Sequence, residues 1–293
     1  MNTDNIKTDE QNNESKNVKK KKDKIRYIIE AAILLFLLLW TLWSEVLVTE
    51  RLSIDLPNCS DAAVRIVLLT DLHSCYYGKN QKNLIRKVEK ENPDIVILAG
   101  DIFDDKLIND NSEIAVAELA SRYPCYYVTG NHECWSGRVP EIKELVRSKG
   151  VTVLEGNCDT IRINGCSLDI CGVDDPADLK KSEWKKQVEN AYRQTSSDHV
   201  RILVTHRPEK AETYANYDFD LILAGHAHGG QIRIPFLNVG IYSPRQGFFP
   251  KYVSGMYTLS NGSILEVSRG LARESTPAPR FFNHPEIVSI EIK

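Results

Sequence analysis

Five short segments each place metal-binding residue types directly after an apolar run: Asp71-Leu-His73, Gly100-Asp101, Gly130-Asn131-His132-Glu133, Thr205-His206 and Gly225-His226-Ala-His228. Carboxylate and amide oxygens with imidazole nitrogens suit divalent cations of the first transition row, and these segments hold enough donors for two ions. A single carboxylate has lone pairs for two cations at once. Five of the seven histidines fall in the segments; His199 and His284 do not. Any one of these residues alone reads as a turn former, a cap or an ordinary polar side chain. The metal reading rests on the set.

The apolar runs Val64–Thr70, Ile95–Ala99, Tyr126–Thr129, Ile202–Thr205 and Leu221–Ala224 read as buried strands. Ligand residues at the carboxyl ends of several strands converge on one rim of a sheet, where α/β proteins place their sites. Helical patterning covers Asn80–Glu91, Ser112–Arg122 with Ser112 as N-cap, Val139–Lys149 ahead of Gly150, Leu179–Gln194 and Pro208–Asn216. Thr152–Leu154, Thr160–Ile163 and Ser167–Val173 read as strands, and the chain beyond Gly229 is β-rich, with hairpin turns at Asn164-Gly165 and Asn261-Gly262. Asp174-Asp175-Pro176 reads as a turn. Strands that first alternate with helices and later pair as hairpins predict an α/β fold with two sheets face to face and helices outside, a four-layer α/β/β/α sandwich.

The 293 residues suffice for one large catalytic domain and an appendage. A net charge of −3 gives no basic surface, so nucleic acid is not expected as a partner. Lysines crowd the start of the chain, at Lys16, Lys19, Lys20, Lys21, Lys22 and Lys24. The expected order is a polar, basic tail over residues 1–27, a transmembrane anchor over 28–48, a stalk and lead-in strand over 49–63 and a catalytic domain over 64–293. The apolar run matches the roughly 20 residues a membrane-spanning helix needs. It carries Trp40 and Trp43 near one end as interface anchors and no small-residue cleavage site after it. The lysines predict a single-pass protein of the cell membrane with the tail in the cytoplasm and the catalytic domain outside. Seven cysteines, an odd number without metal spacing, leave disulfide pairing open.

In their order, the five blocks D-x-H, G-D, G-N-H-E, H and G-H-x-H resemble the calcineurin-like metallophosphoesterase superfamily. Thr205-His-Arg-Pro-Glu209, Ala224-Gly-His-Ala-His-Gly-Gly-Gln-Ile-Arg233, Ser243-Pro-Arg-Gln-Gly247, Val267-Ser-Arg-Gly-Leu271 and Arg280-Phe-Phe-Asn-His-Pro-Glu286 resemble its membrane-linked YkuE/YaeI-like bacterial branch. Some relatives in that branch act on lipid pyrophosphates. The resemblance implies two divalent metal ions (Mn, Fe, Zn or similar). Asp71, His73, His228 and a bridging Asp101 would hold one, and Asn131, His206, His226 and the same Asp101 the other. It also implies a catalytic His132 that serves the leaving oxygen.

The expected activity is hydrolysis of a phosphoester or pyrophosphate bond by a metal-activated hydroxide. The substrate is expected to be lipid-linked or related to the cell envelope. A phosphodiesterase acting on a soluble substrate such as a cyclic nucleotide, and a non-catalytic membrane scaffold, are the alternatives. Arg207, Arg233, Arg245, Arg269, Arg273 and Arg280 lie in loops that follow the ligand segments or in the branch-like stretches, and each reads either as a phosphate binder or as half of an ion pair. Phe236, Leu237, Phe248, Phe249, Phe281 and Phe282 read either as a lipid groove or as core.

Overall fold

Runs of β-branched and aliphatic residues with no polar interruption form strands only where both faces are covered, and that condition organises this chain. The computed structural model describes residues 19–36, 38, 40, 45–59, 63–234, 237, 239–273 and 280–293. The chain divides into two units, residues 1–43 and 44–293.

In the first unit, residues 19–36 form helix α1. Among the described residues no helix is long and apolar enough to cross a membrane. The expected span over 28–48 passes through positions 37, 39 and 41–44, which lie outside the described residues, as does most of the expected tail. The stretch expected as stalk and lead-in strand, 49–63, opens on strand β1 (Val48–Ile54), which also takes in Val48, the last residue of the expected span.

The second unit continues with β2 (Val64–Leu69), α2 (Lys82–Glu91), β3 (Ile95–Ala99), α3 (Asp110–Ala120), β4 (Cys125–Val128), α4 (Asn131–Trp135), α5 (Val139–Ser148) and β5 (Thr152–Val153). It then forms β6 (Asn157–Ile163), β7 (Cys166–Gly172), α6 (Lys181–Arg193), β8 (Val200–Val204), α7 (Ala211–Tyr214) and β9 (Leu221–Ala224). Two short hairpins follow, β10 (Arg233–Ile234) with β11 (Val239–Gly240) and β12 (Tyr242–Ser243) with β13 (Gly247–Phe248). The chain ends with β14 (Gly255–Thr258), β15 (Ile264–Val267) and β16 (Glu286–Ile292).

These strands build two six-stranded sheets, ordered β1-β16-β2-β3-β4-β5 and β14-β15-β9-β8-β7-β6. One core lies between them, with Ile66, Leu68, Ile97 and Val288 from the first sheet meeting Ile170, Ile202 and Leu223 from the second. A second core packs Leu84, Val88, Val116 and Val146 of the helices on the outer face of the first sheet. A third packs Trp184, Val188 and Tyr214 on the second. Helices therefore cover both outer faces, which is the expected four-layer α/β/β/α arrangement.

The expected N-cap at Ser112 is corrected. Helix α3 starts two residues earlier with Asn109 in the cap position, and Ser112 Oγ instead donates to the Ile102 carbonyl. That bond ties the helix to the loop after β3. Cysteine pairing, open in the sequence, is Cys59–Cys166 and Cys158–Cys171, the second between residues directly opposite on β6 and β7. Cys125 and Cys134 are free thiols.

Candidate metal centre

The seven expected ligands reach one place from five strand ends. Asp71 and His73 follow β2, Asp101 follows β3 and Asn131 opens α4 just after β4. His206 follows β8, and His226 and His228 follow β9. All seven are buried. Two residues separated by one position face opposite ways on a strand. The chain overcomes this by turning sharply: Asp71, His73, Asp101, His226 and His228 all hold positive φ, between 46° and 65°. Such backbone is costly for a residue with a side chain, and it clusters at functional sites.

The donors fall into groups that could each hold a cation: Asp71 with His73 and His228, and Asp101 with His206 and His226. Asp101 is the point of contact between them. Its Oδ2 lies 3.0 Å from His206 Nε2 and 3.6 Å from His73 Nε2. His73 Nε2 also lies 4.0 Å from Asp71 Oδ1, and His228 Nε2 lies 3.6 Å from it. Asn131 is buried, and its amide oxygen has no hydrogen-bond partner.

Buried polar atoms ordinarily find partners. Here His73 Nε2, Asn131 Oδ1, His226 Nδ1 and His228 Nδ1 are buried with no hydrogen-bond partner, and His206 Nε2 and Asp101 Oδ2 meet only as an ion pair 3.0 Å apart. Six of the seven expected ligands thus offer an atom that no hydrogen bond uses, and together these atoms are a donor set of oxygen and imidazole nitrogen without thiolate. That set fits a pair of divalent first-row cations.

Neighbouring bonds fix the ligands in place. His206 Nδ1 bonds the Ala99 carbonyl at 2.9 Å and His73 Nδ1 bonds Asp104 at 3.0 Å, so the other nitrogen of each ring points inward. The peptide N–H of His226 donates to Asp71 Oδ2 at 3.1 Å. Glu133 accepts the backbone N–H groups of Gly130, Asp101, Ile102 and Phe103. It therefore shapes the Asp101 loop rather than His132. Gly130 is required here, because a Cβ at that position would collide with Asp101 Oδ1.

Without a cation, the carboxylates are balanced by protons. Burial works against charging His206, but the Asp101 charge outweighs it and raises the imidazole to about 10. Burial likewise opposes a raised His73, which Asp104, Asp101 and Asp71 hold up. Burial would raise Asp101, yet His206 and His73 bring it well below the usual carboxylate range. On the other wall, burial lowers His228 to about 3. Burial, helped by the neighbouring Arg207 guanidinium, puts His226 well below its ordinary value.

His132 stands at the mouth of the site. Its peptide N–H donates to Asp101 Oδ1 at 2.8 Å, and its Nδ1 lies 2.6 Å from Asp105 Oδ1. The ring packs edge-on to His73 with centroids 4.3 Å apart. Sequence reasoning missed both carboxylates that hold these rings, Asp104 and Asp105. Their position three and four residues after Asp101, in the same loop, was the available signal. Asp175, read in the sequence as part of a turn, is buried and pairs through both oxygens with Arg207; Arg207 in turn lies 2.7 Å from His226 Nε2. Of the other arginines, Arg269 pairs with Glu286, Arg273 lies over the Tyr77 ring and Arg245 is exposed. His199 pairs with Asp169, away from these groups.

Comparison with known proteins places this geometry. The calcineurin-like phosphoesterase profile matches residues 64–230. An uncharacterized metallophosphoesterase of Campylobacter jejuni is 32% identical over 252 residues, covering 83% of this chain and 63% of that one, so the chain spans less than two thirds of that relative's length. The uncharacterized metallophosphoesterase YkuE of Bacillus subtilis is 28% identical, covering 78% of this chain and 79% of that one. The phosphodiesterase YaeI of Escherichia coli is 26% identical, covering 85% and 88%. With the profile spanning more than half of the sequence and containing all five ligand segments, the chain belongs to the calcineurin-like phosphoesterase family.

Proposed function

We propose that this chain is a metal-dependent phosphoester hydrolase, with Asp71, His73, Asp101, Asn131, His206, His226 and His228 holding two divalent cations. The observation that carries the reading is the clustering of Asp71 with His73 and His228 and of Asp101 with His206 and His226, each residue but Asp71 keeping a buried polar atom that no hydrogen bond uses. When bound, the cations would supply an acidified water as nucleophile and neutralise the phosphate oxygens. The chain's own residues do the rest. Asp104 and the Ala99 carbonyl orient two of the imidazoles. Asp105 holds His132 by Nδ1, which directs a proton on the far nitrogen toward the leaving oxygen.

The substrate class we favour is a phosphodiester or pyrophosphate on a lipid. Phe248 and Phe249, among the residues weighed as a lipid groove, are 74% and 67% exposed rather than core; Leu237 is exposed too, and Phe236 lies outside the described residues. The diester chemistry takes support from the name of the E. coli relative. The apolar run over 28–48 and the lysines before it support a membrane-held protein with its catalytic unit on the outer side. In intact cells, added protease is expected to remove the catalytic unit; its full protection would contradict the outward orientation.

Hydrolysis of bis(p-nitrophenyl) phosphate and of a lipid pyrophosphate, with Mn added, is expected to disappear in Asp101→Asn and in chelator. His132→Ala is expected to lower kcat by about 100- to 10,000-fold, the more so the poorer the leaving group. Activity that persists in Asp101→Asn would reject the two-cation reading. A preference for cyclic nucleotides over the lipid would move the substrate to the soluble class.

Cation uptake is also expected to depend on pH. In the cation-free chain His206 keeps its proton up to about pH 10, and a ligand nitrogen must lose it. Affinity for Mn should therefore rise as pH rises through the neutral range, by about tenfold per unit for each proton displaced. Calorimetric titration in buffers of different ionisation enthalpy checks this; uptake without proton release would contradict it.

A further inference from the structure

The family profile stops at residue 230, yet two parts of the site are held from beyond it. The loop after β15 carries Gly270, whose φ is +71°, and a Cβ there would lie 2.6 Å from Asp71 Oδ2. The next residue bonds the same segment, with Leu271 N donating to the Thr70 carbonyl at 3.0 Å. This loop is the wall behind Asp71. The turn His228–Gln231 is the other part, and His228 is its first residue.

One short stretch, Arg280 to Glu286, grips both. Arg280 is buried and donates to three carbonyls of the loop: Nε to Ala272 at 2.6 Å, and Nη2 to Arg269 at 2.8 Å and Gly270 at 3.2 Å. Glu286 accepts Arg269 N at 2.7 Å and Arg269 Nε at 2.6 Å, and its own N–H donates to the Gly270 carbonyl at 3.1 Å. Asn283, with no exposed surface, donates from Nδ2 to the carbonyls of His228 at 2.7 Å and Gln231 at 3.0 Å. Gly229 has no room for a side chain, because a Cβ there would collide with Asn283 Oδ1. These bonds fix main chain on both sides of one ligand group, Asp71 with His73 and His228.

The other group is held elsewhere. Glu133 binds the backbone N–H of Asp101, Ala99 holds His206, and Arg207 stands against His226. We propose that Arg280, Asn283 and Glu286 are positioning residues that set cation affinity at the Asp71–His73–His228 group and leave the Asp101–His206–His226 group largely unchanged. The two cation sites would then be tuned separately, one by the profile-matched part of the chain and one by its C-terminal stretch. This inference rests on the two-cation reading above.

The test is Mn titration of the full-length chain, following free Mn by its paramagnetic resonance signal, with melting of the cation-free chain as control. Wild type should take up two ions. Asn283→Asp, which removes both donors without changing shape, and Arg280→Lys should each weaken one of the two by about 10- to 100-fold. The other ion should stay within about twofold. In a His228→Ala background the same substitutions should leave the remaining ion unaffected. Gly270→Ala, which presses on Asp71 from the loop side, should reproduce the one-site loss.

Two wild-type affinities in both Asn283→Asp and Arg280→Lys would overturn the inference alone. Equal weakening of both ions together with a lower cation-free melting temperature would also overturn it, by reducing these residues to general support. A wild-type chain that takes up no Mn would overturn the two-cation reading and this inference with it.

Discussion

The site depends on one buried carboxylate. Asp101 is almost wholly removed from water, and two imidazoles point at the same oxygen. Burying a charge is expensive unless opposite charge compensates it. In the cation-free chain the protons of His206 and His73 perform that task, and divalent cations would replace them. The surrounding structure gives Asp101 no alternative place. Glu133 holds its loop by the N–H groups of three consecutive residues, and Gly130, lacking a side chain, leaves room for the carboxylate.

The sandwich exists, for this purpose, to align strand ends. β2, β3 and β4 of one sheet deliver Asp71, Asp101 and Asn131, while β8 and β9 of the other deliver the three remaining histidine positions after His73. Neither sheet owns a complete site. The apolar core between the sheets, with Ile66, Ile97, Ile202 and Leu223 fully buried, fixes the two rims against one another. Close packing of this kind resists small displacements, which a ligand set spread over five strands requires. The left-handed backbone at five ligands is the local strain that this packing sustains.

Much of this was legible in the sequence because the informative features are local. Each ligand segment sits directly after an apolar run, and each run became a strand within two residues of its expected bounds. Alternation of strands and helices was enough for the four layers. The parts that were not legible depend on pairings between distant residues. A lead-in strand was expected after the apolar run, but nothing near Val48 announces that it pairs in parallel with Glu286. Asp104, Asp105 and Asp175 look like loop carboxylates until folding brings His73, His132 and Arg207 to them. Ser112 is a good N-cap by type, but the loop after β3 claimed its hydroxyl. Among the cysteines, spacing carried no pairing information, since Cys59 and Cys166 are 107 residues apart.

The most direct test of the central claim is anomalous X-ray diffraction from crystals of the Mn-loaded chain. The account predicts two anomalous peaks, one beside Asp71, His73 and His228 and one beside Asn131, His206 and His226, with the Asp101 carboxylate touching both. A single peak, or two peaks that do not share Asp101, would contradict it.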